Sequence, residues 1–116
     1  MQVFTKAGDY RFYDDNAIVE GWSTVYDDKM KLDTKRLSDI RVADGQEVFI
    51  PQWEVQSFVI YCNRGMLIAP GKSEDEGVTF AENEDIEVRE GIKSKKAFSQ
   101  YTGYGQLMGK VRYYIN

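Results

Sequence analysis

Carboxylates, phenols and a single thiol are the side chains of this chain with the means to do chemistry, because it contains no histidine at all. Without an imidazole there is no Ser–His–Asp or Cys–His constellation and no His-based metal site. Cys62 is the one cysteine, so an intramolecular disulfide and a Cys-rich zinc site are excluded. It closes the apolar run Phe58-Val59-Ile60-Tyr61-Cys62 and is expected to be a buried small hydrophobe. A reactive thiol would need electropositive, partly exposed surroundings.

Three bunches of acids stand in turn-like stretches: Asp14-Asp15, Asp27-Asp28 and Glu82-x-Glu84-Asp85. Calcium needs about six to eight oxygens in a spacing such as that of the EF-hand loop, which is not found here. Asp and Asn also favour turns for backbone reasons alone. Paired-carboxylate hydrolysis requires two acids facing across a cleft, so a small enzyme built on carboxylates or tyrosine is a reading that sequence does not develop further. The stretch 103–110 ends in Gly-Lys but carries Tyr104 where a phosphate loop needs glycine, and Val111 where it needs Ser or Thr. These observations imply no catalytic residue, no metal and no cofactor.

Charge is distributed unevenly. Residues 1–90 hold ten basic and all nineteen acidic residues, a net of −9, while residues 91–116 hold five bases and no acid, for −4 overall. The acids concentrate between 74 and 90, where Arg89 is the only base. Acidic surfaces steer encounter with basic partners, so Glu82, Glu84, Asp85 and Glu87 are candidate protein-docking residues. Trp53, between Pro51-Gln52 and Glu54, is a candidate interface anchor, since tryptophan carries a large contact area. The competing reading is a solvated edge kept charged against edge-to-edge pairing.

The basic end supports a different function. Lys93, Lys95, Lys96, Lys110 and Arg112 supply charge for phosphates, while Tyr101 and Tyr104 flank Gly103 and supply rings for base stacking, a combination suited to single-stranded nucleic acid. Against it, a pI near 4.8 is opposite to the usual footprint of a nucleic-acid binder. A structural alternative is a closing strand over 110–115, with its aromatics inside and its bases facing the acidic strip.

The elements that must position these groups read as strands. Aromatics reach 14%, which favours β-structure, and turn signals recur at intervals of about eight to twelve residues. The run 58–62, the turn Asn63-Arg64-Gly65 and the run 66–69 predict a central hairpin with a bulged glycine. Asp44-Gly45 predicts a second hairpin over 41–48. Residues 9–13 and 17–26 are expected as strands about a turn at 14–16, and short strands are expected at 78–80, 86–88 and 110–115. Helical signals occur near 33–41, where Asp33 can cap and Leu37 and Ile40 are three apart, and near 92–101, where Ala97 and Tyr101 are four apart.

With 116 residues the chain suits one domain able to bury about two thirds of its surface. The N-terminus lacks a signal-type apolar stretch, and no apolar run approaches the roughly twenty residues that span a bilayer. A cytoplasmic or virion setting, without a membrane, is therefore expected. No OB-fold, cold-shock, crystallin-like or lectin signature is present. The expectation is an all-β barrel or sandwich over 1–116, non-catalytic, that docks on a protein partner or self-assembles. Viral structural proteins and acidic inhibitors of nucleic-acid-processing enzymes work in that way. Nucleic-acid binding through the Lys/Tyr end is the alternative.

Overall fold

The computed structural model describes residues 1–12, 20–29, 40–43, 45–63, 68–99 and 101–115. Among them the regular structure is mostly β: eight strands and two single 3₁₀ turns, arranged in three small antiparallel sheets. No closed barrel is formed by these ladders. The chain divides into two units, residues 1–66 with 96–100, and residues 67–95 with 101–116.

The first unit is built on β1 (Gln2–Ala7), the middle strand of a sheet in which β2 (Ser23–Asp27) and β3 (Gln56–Tyr61) are the flanks. A middle strand is hydrogen-bonded along both edges, and the burial of three consecutive β1 residues, Val3, Phe4 and Thr5, shows that both faces of this strand are covered as well. The buried hydroxyls are satisfied locally. Thr5 Oγ1 donates to the Ser57 carbonyl (2.9 Å) and accepts from Gln56 Nε2 (2.8 Å). Ser57 Oγ donates to the Gly8 carbonyl (2.6 Å) and accepts the Tyr10 N–H (2.9 Å), which ties the 3₁₀ turn Tyr10–Phe12 to β3. Phe98 completes the aromatic centre, its ring 4.9 Å from that of Phe4 and 5.5 Å from that of Trp22, both edge-on. Its backbone sits at φ 57°, and the turn is closed by Ser99, whose hydroxyl donates to the Lys96 carbonyl (2.7 Å) and accepts the Lys96 N–H (3.1 Å). Cys62 is buried, as its place in an apolar run predicts.

The second unit has β8 (Tyr101–Leu107) between β4 (Ile68–Pro70) and β7 (Gly91–Ser94). Glycine is required at position 105 by close approach: a Cβ there would press on Ile68 Cγ2 and stand 3.0 Å from the Ala69 carbonyl oxygen. A separate hairpin joins β5 (Thr79–Glu82) to β6 (Glu87–Arg89). It continues past its strands, with the Glu90 N–H on the Val78 carbonyl (2.9 Å) and the Gly77 N–H on the Glu90 carbonyl (2.8 Å).

Several local expectations give way to tertiary pairing. The described parts of the runs 58–62 and 66–69 are not paired as a central hairpin: β3 pairs with β1 and β4 with β8, in different sheets, and residues 64–67, with the expected bulged glycine, lie outside the described residues. A strand goes where its side chains find partners, and Val59 lies opposite Phe4 while Ile68 lies opposite Leu107. Around the expected Asp-Gly turn Gly45 has φ 82° and the Gln46 N–H bonds the Ala43 carbonyl (2.9 Å), while Asp44 lies outside the described residues; residues 41–43 and 46–50 carry no ladder. The helix expected near 92–101 is instead the hairpin of β7 and β8, in which Ile92 faces Tyr104; a positive φ at Phe98 breaks any right-handed helix. The strand expected at 110–115 is absent, and Val111, Tyr113, Tyr114 and Ile115 are exposed. Residues 10–12 form a 3₁₀ turn instead of a strand. The strands expected near 78–80 and 86–88 are present as β5 and β6. The turn at 14–16 and residues 33–39 of the helical segment 33–41 lie outside the described residues, and Ile40 and Arg41 are not helical.

Candidate functional site

The acidic hairpin is local in origin. Asn83 Oδ1 accepts the N–H groups of Asp85 (2.8 Å) and Ile86 (2.9 Å), and the Asn83 N–H meets the Ile86 carbonyl (3.0 Å). That side-chain-closed turn is the reason asparagine is favoured at such a position. It sets Glu82 directly opposite Glu87 in the ladder and puts Glu84 and Asp85 on the connecting turn. All four carboxylates are exposed. Like charges opposite one another destabilise a hairpin. Arg89 stands 3.6 Å from Glu87, and Thr79 Oγ1 donates to the same carboxylate (3.2 Å). Asp85 also anchors a distant ring, since the Tyr113 hydroxyl donates to Asp85 Oδ2 (2.9 Å) and accepts from Asn83 Nδ2 (2.8 Å). The amide of Asn83 favours the ionised phenol, but the Asp85 hydrogen bond, desolvation and the nearby charges of Asp85 and Glu84 outweigh it, so Tyr113 titrates above the ordinary tyrosine range.

Of the basic and aromatic candidates, three stand on the β7–β8 ladder, Tyr101 and Tyr104 on one face and Lys93 on the other. Lys93 faces Gly103, and its side chain occupies the space where a Cβ on Gly103 would stand, with Cε 2.8 Å from that point. A register shift after Lys93 brings the Tyr101 and Tyr104 rings to 5.8 Å, tilted by 55°. Hydrogen bonding between these phenols, then desolvation, then the negative potential of Tyr101 and Glu76 raise the Tyr104 pKa. Lys95, Lys110 and Arg112 are exposed on the second unit, while Lys96 belongs to the first.

Trp53 also belongs to the first unit. It is 93% exposed and sits at φ 65°, in a turn closed by the Glu54 N–H on the Pro51 carbonyl (3.1 Å). Phe49 and Ile50 just before it are exposed as well. A left-handed conformation costs a bulky residue about 1 kcal/mol or more, and here no burial offsets it. Trp53→Gly is therefore expected to raise the stability of the first unit by about 1 kcal/mol, read as a higher denaturant midpoint. A lower midpoint would show that the indole supports the fold.

No protein-family model, curated protein or solved structure matches this chain. Its chemistry therefore rests on the geometry alone. Among the described residues no group of three or more His, Cys, Asp or Glu is placed to hold a metal ion, and no helix is long and apolar enough to cross a membrane.

Two features escaped the sequence. Glu90, counted there as one more member of the acidic strip, is 4% exposed, with Oε1 on Gln106 Nε2 and Oε2 without a hydrogen-bond partner. Nothing in its local sequence separates it from the exposed acids. The Tyr113 clasp was equally hidden, although Asn83 two residues before Asp85 does signal the turn that receives it.

Proposed function

We propose that this chain is a non-catalytic protein–protein interaction module whose β5–β6 hairpin docks on a basic surface of its partner. The observation that supports the reading is the facing pair Glu82 and Glu87, with Glu84 between them on a turn held by Asn83. These carboxylates repel one another in the free protein, and cationic groups of a partner relieve that repulsion. A viral-type assembly protein and an acidic inhibitor of a nucleic-acid-processing enzyme are two roles that such a surface serves. Trp53, exposed in a costly backbone conformation, supplies a separate apolar anchor.

The test compares wild type with the Glu82→Lys, Glu84→Lys, Glu87→Lys variant as tagged bait in lysate of the source or its host, with and without nuclease. Asp85 is kept because it holds Tyr113. A protein partner retained after nuclease by wild type, and bound by the variant about tenfold or more slowly at low salt, is the expected result. Equal association rates would overturn the electrostatic reading. The tilted Tyr101–Tyr104 ring pair favours single-stranded nucleic acid as the second reading, and partners that vanish with nuclease would transfer the function there.

A further inference from the structure

Five of the strands that lie at a sheet edge carry a device that discourages pairing with another chain. Asp27 ends β2, which also has a register shift against β1; Pro70 ends β4; Glu82, Glu87 with Arg89, and Lys93 stand in β5, β6 and β7. The strand β3, Gln56-Ser57-Phe58-Val59-Ile60-Tyr61, is an edge with no charge, no proline, no glycine and no register shift.

Which of its backbone groups face outward follows from the pairing. The Gly8 N–H bonds the Val55 carbonyl (2.8 Å), and the ladder from Ala7·Gln56 to Gln2·Tyr61 is regular. Bonded and non-bonded pairs alternate in an antiparallel ladder. Residues 55, 57, 59 and 61 therefore turn their N–H and C=O towards β1, which agrees with the Ser57 carbonyl receiving the Thr5 hydroxyl. Gln56, Phe58 and Ile60 turn theirs to the open edge, where the described residues provide no ladder. Phe58 is 45% exposed beside it.

We propose that β3 pairs antiparallel with β3 of a second copy of this chain, on a two-fold axis through Phe58. Only residues 56, 58 and 60 offer outward groups, so the symmetric register sets Gln56 against Ile60 of the second copy and Phe58 against its own counterpart. That arrangement closes about six backbone hydrogen bonds. It stacks two half-exposed phenylalanine rings across the axis. Val55 then faces Tyr61 of the second copy and Glu54 faces Cys62, so no like charges meet. Self-complementarity of this kind is what a two-fold interface demands, and it is the reason a second copy is preferred to an unrelated extended segment. An edge pairing is small for a specific interface, so the association lies in the micromolar range.

The full chain is followed by sedimentation over the micromolar range, together with amide hydrogen exchange read residue by residue. The expected result is a concentration-dependent dimer in which the Gln56, Phe58 and Ile60 amides become protected, while those of Ser57 and Val59 are protected at every concentration. Phe58→Lys, which sets two ammonium groups face to face, weakens the dimer about tenfold or more, with an unchanged circular dichroism spectrum. A wild-type chain that stays monomeric overturns the proposal. So does a dimer whose Gln56, Phe58 and Ile60 amides exchange as fast as in dilute solution, since its interface lies elsewhere. The exchange measurement on wild type decides the matter even if the variant fails to fold.

Discussion

Phe4→Ala is expected to destabilise the first unit by about 3–5 kcal/mol. Phe4 is buried on the middle strand of the sheet, opposite Val59, and meets the Phe98 ring edge-on at 4.9 Å. Truncation removes a large buried area together with an aromatic pair, and strands pinned on both sides collapse poorly into the void. Small domains have about 5–15 kcal/mol in total, so the loss is a large fraction of what is available. Denaturant unfolding followed by the fluorescence of Trp22, whose ring is 5.5 Å from that of Phe98, measures it. Phe98→Ala removes the other half of the same contact, so the double variant is expected to cost less than the two single losses combined. A Phe4→Ala loss below about 1 kcal/mol would mean that this aromatic centre is not what holds the sheet.

The second large effect belongs to Glu90. Its carboxyl is almost wholly removed from solvent, and Gln106 on β8 satisfies one of its two oxygens, Oε1, while Oε2 has no hydrogen-bond partner. Gln106→Leu leaves a buried acceptor with no partner and is expected to cost about 2–3 kcal/mol. Leucine at both 90 and 106 removes the need for a partner, so the double variant is expected to recover much of the loss. Urea unfolding of the two variants supplies the comparison. If the double variant is no more stable than Gln106→Leu, the pair acts through packing and not through its hydrogen bond. Because Glu90 follows β6 directly, the same variants report whether this bond steadies the acidic hairpin: Gln106→Leu would then speed amide exchange at Asp85 and Ile86, whose N–H groups close the turn on Asn83.

Much of the local structure was legible in the chain itself. The β content follows from aromatic and β-branched runs between turn residues, the turn before Gln46 from a glycine free to take positive φ at 45, and the turn Asn83–Ile86 from a side chain that closes its own backbone. The exposure of Glu82, Glu84, Asp85 and Glu87 follows from the same hairpin. Such features depend on residues within about five positions of each other, where turn chemistry is decisive. The helix read into 92–101 failed for a related reason: a spacing of four suits both a helix face and the two ends of a tight turn, and only the turn accommodates Phe98 at positive φ.

Composition and order along the chain by themselves determined the β-rich class, the absence of imidazole chemistry, the separation of acidic from basic segments and the position of the acidic turn. Tertiary structure alone decided which strand pairs with which, that Glu90 is buried while its acidic neighbours Glu82, Glu84, Asp85 and Glu87 are exposed, that Tyr113 is held through its hydroxyl, and that among the described residues β3 has a ladder on one side only. The physical reason is that ladder partners are chosen by long-range burial. The six residues of β3 are equally ready to pair with the run that follows them or with β1, and what distinguishes the two is Phe4, more than fifty positions away in the chain.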